Sequence, residues 1–564
     1  MDRKKKDGMK LRRLVALPVI AMLVVTGCSG PTDTGETNTE PLALSAVNAT
    51  DPTTHAPGGE LRLAVDEIGS FNPMSEQSSA ELARLQQAFL PTFFRYDERG
   101  VATPNPDFLV SATETSTNPT KVTLALNPKA VWGDGKQITA ADMIATWTAC
   151  NGRSTGFRCA ADLRFRDIQA VTQGANESTV ELTFNRAYPQ WRGIFDRVSV
   201  LRAESVSTAE IFNTRWTSVP KQWTSGPFTT VSANSKAFVA SPNKDWWGTP
   251  STLGRFTIKA VPRENQVKAF LDAQIDAVDI AGSKDFYDAV RARKGIEVRT
   301  AGSPMTRQLV FNTSSVGPVG DPVVRQAIAN ALDRSGIGTK ALPGVGFTAA
   351  PLGNRIYLPG QEGYADNIAT QEFARDQAKA RKLLDSAGWR GSDEDGRSQD
   401  GRRLEVRLAR IQGLAMSENE AQAITDQLRQ VGVTVITEDV TLADFDNGSV
   451  LAGGDFDMIV VGIQGGHEPL ATLDARFGAG AEQNWARFEN PEVDARIKRI
   501  ETEADPAQRA VLANELDQLL STHMPTVPLY QLPQQVAVGV QLTDYGAPGL
   551  SSTAWERVGY ARGE

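Results

Sequence analysis

The chain has 564 residues, of which 40% are hydrophobic and 22% are charged, and its formal net charge is −8 at pH 7. This length favours two or three domains over a single core. A net negative charge lacks the basic footprint of nucleic-acid-binding proteins, so no nucleic-acid partner is expected. The three histidines are scattered without the spacing of metal ligands, and we predict no metal site and no cofactor.

The first 27 residues have the layout of a secretory signal peptide. Basic side chains within residues 3–13 precede an apolar run, 14–25, that is too short to span a bilayer comfortably. The run leads into the sequence VTGC, which resembles the lipobox of bacterial lipoproteins and implies that Cys28 is acylated and becomes the first mature residue. The alternative is a signal peptide with a coincidental cysteine. We predict a lipid-anchored protein on the extracytoplasmic face of the cell membrane, in the periplasm or cell-wall zone.

Residues 28–57 follow the anchor and are rich in Thr, Ser, Asn, Gly and Pro, with almost no large apolar side chains. This composition predicts a disordered tether. The two other cysteines, Cys150 and Cys159, belong to a chain predicted to be exported, where disulfides persist. We therefore predict that they pair and close a small loop.

After Gly58 the chain alternates short strands with helices. Residues 60–65 alternate polar and apolar side chains, as a half-buried strand does. Thr139, with Asp142 three residues later, resembles a capping box and predicts a helix over 140–150. Further strands are predicted over 122–126, 180–184, 256–261 and 274–280.

The best-marked unit is 309–337, which begins as a strand, crosses a Gly/Pro-rich loop and restarts as a helix. Asp321 followed by Pro322 is a strong helix start, because Asp accepts free backbone N–H groups and Pro has none to leave unpaired. Gly336 and Gly338 are predicted to end this helix.

The second half of the chain repeats a strand–helix–strand rhythm that indicates an α/β lobe. Residues 456–462 are apolar enough for a buried central strand. Residues 393–401 are acidic but lack the order of a calcium loop, and a polar hairpin is predicted there. Helices are predicted over 373–387, 421–431, 491–503 and 507–524. The sequence contains no nucleophile elbow, phosphate loop or zinc-protease motif, so we predict that the protein is not an enzyme.

Six stretches, taken in order, resemble motifs of the extracytoplasmic solute-binding proteins that serve peptide ABC importers, the dipeptide/oligopeptide class or family 5. The resemblance spans residues 58–535. The stretches are VWGDG with ITAAD (131–142), SGPF (225–228), NKDWWG (243–248), the strand–loop–helix unit (309–337), DFD (455–457), and NPEVD with PTVPLY (490–494 and 525–530).

The resemblance implies an α/β, two-lobed periplasmic-binding-protein fold, class II-like and of the large peptide-binding type, with a ligand buried between the lobes on closure. Lobe I would comprise 58–304 plus 528–564, with an extra subdomain at about 100–224, and lobe II would comprise 305–527. The expected partners are an ABC permease and its ATPase, and the protein is expected to be a monomer.

The ligand site is predicted in the loop after the strand 456–462, because ligands of open α/β sheets lie beyond the carboxyl ends of strands. Relatives often carry an aspartate here that pairs with a peptide's ammonium group, whereas this chain has glycine at that position. We predict ligand contacts from Gly465, Gly466, His467 and Glu468. His467 is either a pH-sensitive donor or a plain loop histidine.

Two further groups are predicted to face the same cleft. Asn484, Trp485 and Arg487 occupy a family segment near it, where Trp485 would form an apolar wall and Arg487 would contact a carboxylate. The alternative is a packed tryptophan beside a solvated arginine. Asn72 and Ser75 follow the first strand and would reach the cleft by topology.

The predicted function is that of a lipid-anchored receptor that captures peptides or peptide-like solutes and delivers them to a permease. Two alternatives remain open at this stage. The chain could be a surface lipoprotein of the same fold acting as a sensor or scaffold, or it could bind a non-peptide solute such as a metal chelate, an opine or a sugar.

Overall fold

The computed structural model describes residues 42–160, 165–280, 282–371 and 373–563. The predicted signal peptide, the acylation site at Cys28 and the tether as far as residue 41 lie outside the described residues. Among the described residues, no helix combines the length and apolar character needed to cross a bilayer.

The described strands form six sheets, and the largest has the order β12-β20-β13-β19-β17-β18. In chain order the strands are β1 (His55–Ala56), β2 (Glu60–Val65), β3 (Phe94–Tyr96), β4 (Ala102–Pro104), β5 (Leu109–Thr117), β6 (Thr120–Leu126), β7 (Ile168–Gln173), β8 (Thr179–Phe184), β9 (Phe228–Asn234), β10 (Ala237–Pro242), β11 (Arg255–Ala260), β12 (Ala277–Asp279), β13 (Ile296–Phe311), β14 (Arg390–Ser392), β15 (Gly396–Gln399), β16 (Arg402–Arg403), β17 (Glu405–Ile411), β18 (Thr434–Val440), β19 (Met458–Gln464), β20 (Thr526–Gly539), β21 (Leu542–Thr543) and β22 (Gly559–Ala561).

Helices cover the sheets, and most of the longer ones lie in the second half of the chain. They are α1 (Ala80–Leu85), α2 (Ala140–Cys150), α3 (Ala209–Thr214), α4 (Arg263–Leu271), α5 (Lys284–Arg291), α6 (Pro322–Ala331), α7 (Arg334–Ala341), α8 (Asn367–Thr370), α9 (Gln377–Ser386), α10 (Ala415–Arg429), α11 (Leu442–Asp446), α12 (Ser449–Gly453), α13 (Leu473–Phe477), α14 (Pro491–Thr502) and α15 (Pro506–His523).

The hydrophobic cores divide the molecule into two lobes. Two clusters take their buried residues from before Gly302 and after Gln535. Two other clusters take theirs from between Leu309 and Tyr530. This division supports our proposal that lobe I includes 58–304 and the C-terminal segment and that lobe II includes 305–527. Leu529 and Tyr530 pack in the core of lobe II, so the chain returns to lobe I a few residues beyond the predicted boundary at 528.

Strands β13 and β20 run from one lobe into the other as antiparallel neighbours. Their register breaks between Gly302, which faces Pro533, and Thr306, which faces Gln531. Such bulges bend a strand, and Pro533 removes a donor from the ladder at the same point. We place the hinge at this break.

The sheet β5-β6-β8-β7 forms the core of an insertion in lobe I. Its helix α2 spans 140–150, as predicted, and begins with a complete capping box between Thr139 and Asp142. The carboxylate of Asp142 also accepts hydrogen bonds from the indole of Trp132 at 3.1 Å and from the Ala203 amide at 2.8 Å. A disulfide joins Cys150, the last residue of α2, to Cys159.

Three helices of lobe II begin in the same way, with a residue whose side chain caps the helix followed directly by proline. Asp321 accepts from the Val323 amide at the start of α6. Asn490 and Asp505 cap α14 and α15 in the same way. The cap satisfies a free N–H group, and proline has no N–H to satisfy, so the local sequence fixes these starts.

The helix predicted from Asp321 to Gly336 is instead two helices, and the prediction is wrong on this point. Helix α6 ends at Ala331, and Asp333 then caps α7 by accepting from the Gly336 amide at 2.8 Å. Gly338 lies inside α7, where a Cβ would collide with Ala349 and with Tyr530. Close packing, rather than a helix end, explains this glycine. The polar hairpin predicted at 393–401 is present as β14 and β15.

The tether prediction is wrong for residues 42–57, which belong to the fold. Asp51 caps a short helical turn, Pro52–Thr54, and β1 pairs with β22 near the end of the chain. His55 is buried beside the hydroxyls of Thr50, at 2.8 Å, and Thr543, at 3.0 Å. The segment packs on surfaces built by distant parts of the chain, which its own composition does not reveal.

The segment 42–47 contacts both lobes and the hinge. Leu42 packs on the core of lobe II, and Leu44 lies against Gly360 of the same lobe. The Gly302 amide, at the hinge, donates to the Ala43 carbonyl at 2.8 Å. Ala46 pairs with Ala547 of lobe I. The segment therefore crosses the junction between the lobes.

Candidate functional site

The loop after β19 begins beside the hinge. Strand β19 pairs with β13 in antiparallel register, so that Gln464 faces Met305. The Gly465 amide then donates to the Pro304 carbonyl at 2.6 Å. A Cβ on Gly466 would meet no heavy atom within 4 Å, so open space lies beside this residue.

His467 reaches from lobe II to lobe I. Its ring stacks on Tyr96 with centroids 3.7 Å apart, and its Nε2 lies 2.9 Å from the Leu550 carbonyl. A carbonyl only accepts hydrogen bonds, so Nε2 carries the proton and donates. Burial lowers the pKa of His467, although the bond to Leu550 acts in the opposite direction. The neutral ring then leaves Nδ1 as an acceptor.

The side chain of Glu468 also lies against lobe I, where its neighbour Gly193 has no room for a side chain of its own. A Cβ on Gly193 would approach the Glu468 Cγ to 2.6 Å. Burial raises the pKa of Glu468 to about 7, against the attraction of Arg509 and Arg192. Within the described part of the chain the carboxylate makes no hydrogen bond. Glu468 is therefore a carboxyl group poised to titrate near neutral pH.

A first cavity of about 450 Å³ lies between the lobes next to the hinge. Lobe I supplies α1, the region around Arg197 and the segment 548–553, while lobe II supplies Gly465, Gly466 and His467. The charged groups in its wall are Arg84, Asp196 and Arg197. Both lobes line it, so opening at the hinge would separate its walls.

A second cavity, of about 350 Å³, lies on the other side of His467. Lobe I contributes residues 99–102 together with Gln190 and Arg192, and lobe II contributes Glu468 and Arg509 among others. His467 belongs to both walls. The two cavities are therefore neighbours on either side of one side chain.

Two further polar contacts bridge the lobes. Arg99 donates to the Gly360 carbonyl at 3.2 Å. Arg186 of the inserted subdomain lies 3.6 Å from the carboxylate of Glu501. Together with the stacking of His467 on Tyr96, these contacts describe a closed arrangement of the lobes.

The structure does not bring Asn484, Trp485 and Arg487, predicted to contact the cleft ligand, to either cavity between the lobes. They line a separate pocket of about 680 Å³ formed by lobe II residues only. This pocket lies near Thr313, beyond the end of β13 where Phe311 faces Met458. Six strand steps separate that end from the hinge end of the pairing, which is roughly 20 Å at about 3.3 Å per residue.

The side chains of this separate pocket have local structural partners. The Asn484 amide donates to the carbonyls of Gly478 at 2.8 Å and Phe488 at 2.7 Å. Arg487 adopts a positive φ of 51° and donates to the Ala452 carbonyl at 2.6 Å. These bonds hold the loop in shape, so the polar side chains of Asn484 and Arg487 serve the fold of lobe II.

Asn72 and Ser75, also predicted to reach the cleft, line neither cavity between the lobes. Asn72 is fully buried, and its side chain donates to the Phe212 carbonyl at 3.0 Å and accepts from the Met74 amide at 3.1 Å. Ser75 is buried in a bridge to Cys159. The turn after β2 is thus fixed inside lobe I, and the next helix, α1, reaches the cleft instead.

Sequence reasoning missed several residues of the cleft. Arg84, Arg197 and Leu550 line the first cavity, and Tyr96 supports the ring of His467. None of them lies in a motif, and Leu550 lies hundreds of residues further along the chain than the other three. The only sequence signal was indirect, in that the loop at 465–468 followed a buried strand.

Within the described residues, no group of three His, Cys, Asp or Glu side chains is placed to hold a metal ion. Two α/β lobes joined by a bent pair of strands, with a cavity lined from both sides, define a two-lobed solute-binding protein. The family described as bacterial extracellular solute-binding proteins, family 5 (middle region), matches residues 103–484. The chain belongs to this family, whose members are binding proteins and not enzymes.

Individual proteins agree with this assignment. The chain is 30% identical over 556 residues to a protein of Mycobacterium tuberculosis (strain ATCC 25618 / H37Rv) named oligopeptide-binding protein OppA, covering 97% of this chain and 93% of that one. The structure of a periplasmic EDTA-binding protein, EppA, is similar with a TM-score of 0.79 and 23% identity over 92% of this chain and 99% of its own. The structure of AppA from Bacillus subtilis, in complex with a nonapeptide, has a TM-score of 0.66 and 18% identity, and the match covers 90% of this chain and 100% of that one. At these identities the two structures show the shared fold.

Proposed function

We propose that this protein captures a peptide or peptide-like solute between its lobes and delivers it to the permease of an ABC importer. The observation that carries the proposal is the cavity next to the hinge, whose walls come from both lobes and which His467 closes against Tyr96 and Leu550. The relative named as an oligopeptide-binding protein spans nearly the whole chain and supports a peptide-like ligand.

In this proposal the ligand contacts come from Gly465, Gly466 and His467 on lobe II and from α1 and the segment 548–553 on lobe I. A ligand that touches both walls binds the closed state better than the open one, and it shifts the population toward closure by that difference in affinity. Bending at the break between Gly302 and Thr306 supplies the motion. The closed surface is then what the permease recognises.

We also propose that the protein acts as a monomer held to the membrane by lipid on Cys28, with its ATPase partner on the far side of the permease. A fatty-acid label should enter the wild-type protein in cells and be absent from Cys28→Ala. Equal labelling of the two would contradict the anchor without affecting the binding proposal.

The capture proposal is tested on the mature protein as purified. Mass spectrometry of the denatured protein identifies any co-purified solute, and small-angle scattering measures whether adding it back reduces the radius of gyration. We expect one bound solute per chain and a more compact particle. If a broad panel of peptides and small solutes neither shifts the melting temperature nor compacts the particle, the proposal fails.

Two alternatives give different results in the same experiments. A sensor or scaffold of this fold would bind its solute, but cells without the protein would take up that solute as fast as cells that contain it. A receptor for a non-peptide solute would compact with that solute and with no peptide. Uptake of the identified solute in cells with and without the gene separates import from sensing.

A further inference from the structure

The wall of the first cavity carries an excess of positive charge, although the whole chain has a net charge of −8. Its charged side chains are two arginines, Arg84 and Arg197, and one aspartate, Asp196. His467, the fourth titratable group, is held neutral by the burial that lowers its pKa. The cavity thus has the opposite sign to the protein around it.

The two arginines are exposed and can turn toward a ligand. The guanidinium of Arg84, on α1, makes no hydrogen bond or close ion pair with any described residue, although it attracts the carboxylate of Glu81 one turn earlier. Arg197 is exposed too, and its one ion pair with a described residue is long, at 3.9 Å from its neighbour Asp196. A guanidinium presents a planar fork of donors that fits a carboxylate. Two such forks therefore line one cavity from the side of lobe I.

The opposite wall adds donors and no negative charge. Gly465 and Gly466 carry no side chain, and the space beside Gly466 is open. Within the described part of the chain, the backbone N–H groups of Gly466 and His467 make no hydrogen bond, so both can donate to an anion. Among the described residues of the wall, the only carboxylate is that of Asp196, beside Arg197. A ligand ammonium group would find little to pair with here.

We infer that the cleft selects anionic solutes that carry at least two carboxylates and need no free ammonium group, such as acidic peptides with a blocked amino terminus. Arg84 and Arg197 bind the carboxylates, and the backbone N–H groups of Gly466 and His467 donate hydrogen bonds to a further acceptor atom of the ligand. The inference rests on the proposed function, since it names the ligand class of the same cleft.

The excess positive charge also has a kinetic consequence. A cleft lined by one sign of charge concentrates ligands of the opposite sign and raises their association rate, in a way that salt screens. The negative charge of the remaining surface repels the same ligands elsewhere. Binding of an acidic solute should therefore weaken as salt concentration rises, mainly through slower association.

Calorimetry with three synthetic probes tests the inference on the mature protein. The probes are N-acetyl-Glu-Ala-Glu, Ala-Ala-Ala with free termini, and Lys-Ala-Lys amide. We expect the acetylated acidic peptide to bind at least tenfold more tightly than either of the others. Arg84→Gln and Arg197→Gln should each weaken it about tenfold, whereas Arg293→Gln, an exposed arginine that lines neither cavity, should leave it unchanged.

A gain-of-function variant keeps the test independent of lost affinity. Gly466→Asp places a carboxylate in open space within the cavity. This variant should bind the acidic probe more weakly and Ala-Ala-Ala more tightly than the wild type does. An unchanged melting temperature would show that it is folded. If the wild type binds Ala-Ala-Ala as tightly as the acidic probe, or if both arginine variants behave like Arg293→Gln, the inference is overturned while the receptor function stands. If no probe and no co-purified solute binds at all, the proposed function fails with it.

Discussion

The ring of His467 lies nearly flat on the ring of Tyr96, with centroids 3.7 Å apart and planes 23° apart. The first residue belongs to the loop after β19 in lobe II, and the second ends β3 in lobe I. A hydrogen bond from the same imidazole to the Leu550 carbonyl, at 2.9 Å, adds a second link to lobe I. One side chain therefore joins the lobes in two ways and separates the two cavities between them.

Replacing His467 should weaken closure, and two variants separate its two links. His467→Phe keeps the stack on Tyr96 but cannot donate to Leu550, whereas His467→Asn can donate but cannot stack. An aromatic pair and a neutral hydrogen bond are each worth about 1 kcal/mol, so each variant should lose roughly a factor of five in ligand affinity.

Titration calorimetry with the identified solute measures these losses. His467→Ala removes both links and should lose at least as much as either single change. If all three variants bind like the wild type, the ring does not contribute to closure.

Closure should become less favourable as pH rises through about 7, because the half-buried side chain of Glu468 lies between the lobes. Its pKa rises from the ordinary 4.5 to about 7 in the closed form, so the closed form binds the proton more tightly. The stabilisation is complete below about 4.5 and is lost as pH passes 7, and its ceiling is about 3 kcal/mol. The pKa of about 7 already includes the attraction of Arg509 and Arg192, which lowers it, and the repulsion of Asp196, which raises it.

Affinity measured from pH 5 to 8 checks this dependence, and we expect a fall of about tenfold. His467 contributes an opposite slope, because burial lowers its pKa and closure then favours the deprotonated ring. Glu468→Gln keeps the shape and removes the carboxyl titration, so the difference between the two profiles isolates Glu468. Parallel profiles for the variant and the wild type would refute the assignment.

Gly193→Ala should hold the lobes apart. The added Cβ would come within 2.6 Å of the Glu468 Cγ, so the loop or the lobe must move. We expect weaker ligand binding, by about tenfold, and a larger radius of gyration for the liganded protein. Gly453→Ala is the matched control, since its Cβ meets nothing within 4 Å and lies on α12 of lobe II. Unchanged affinity in Gly193→Ala would mean that closure tolerates the extra atom.

Removing the disulfide should destabilise the inserted subdomain without changing the cleft. The bond closes a loop of sequence separation 9, for which the loss of chain entropy in the unfolded state corresponds to about 2 to 3 kcal/mol. Cys150→Ala/Cys159→Ala should lower the free energy of unfolding by that amount in urea titrations. A reducing agent should bring the wild type to the same value, and ligand affinity should stay constant. A variant as stable as the oxidised protein would contradict this account.

Local sequence predicted local structure well. The capping box at Thr139 and the Asp321–Pro322 pair mark helix starts because a few adjacent residues determine them. The segment 42–57 was wrongly predicted to be a disordered tether, because the composition of a segment does not show which distant residues it packs against. His55 is buried by partners nearly 500 positions away, which no local pattern reveals.

The candidate site was predictable only where it followed a strand. The loop at Gly465 could be placed because a buried strand leads into the cleft, whereas Arg84 and Arg197 owe their meeting to tertiary packing. Asn72 resembles a cleft residue by chain order, yet its amide is used by the Phe212 carbonyl inside lobe I. Polarity alone does not distinguish a side chain that serves the fold from one that awaits a ligand.

The path of residues 42–47 has a practical consequence for any shortened form of this protein. A version cut at Gly58, where composition would put the first folded residue, lacks Leu42 on the core of lobe II and the bond between Gly302 and Ala43 at the bend. The balance between its open and closed states would then differ from that of the whole chain. Affinities measured on such a fragment would describe the fragment, and a reporter dye attached within this segment would respond to lobe movement.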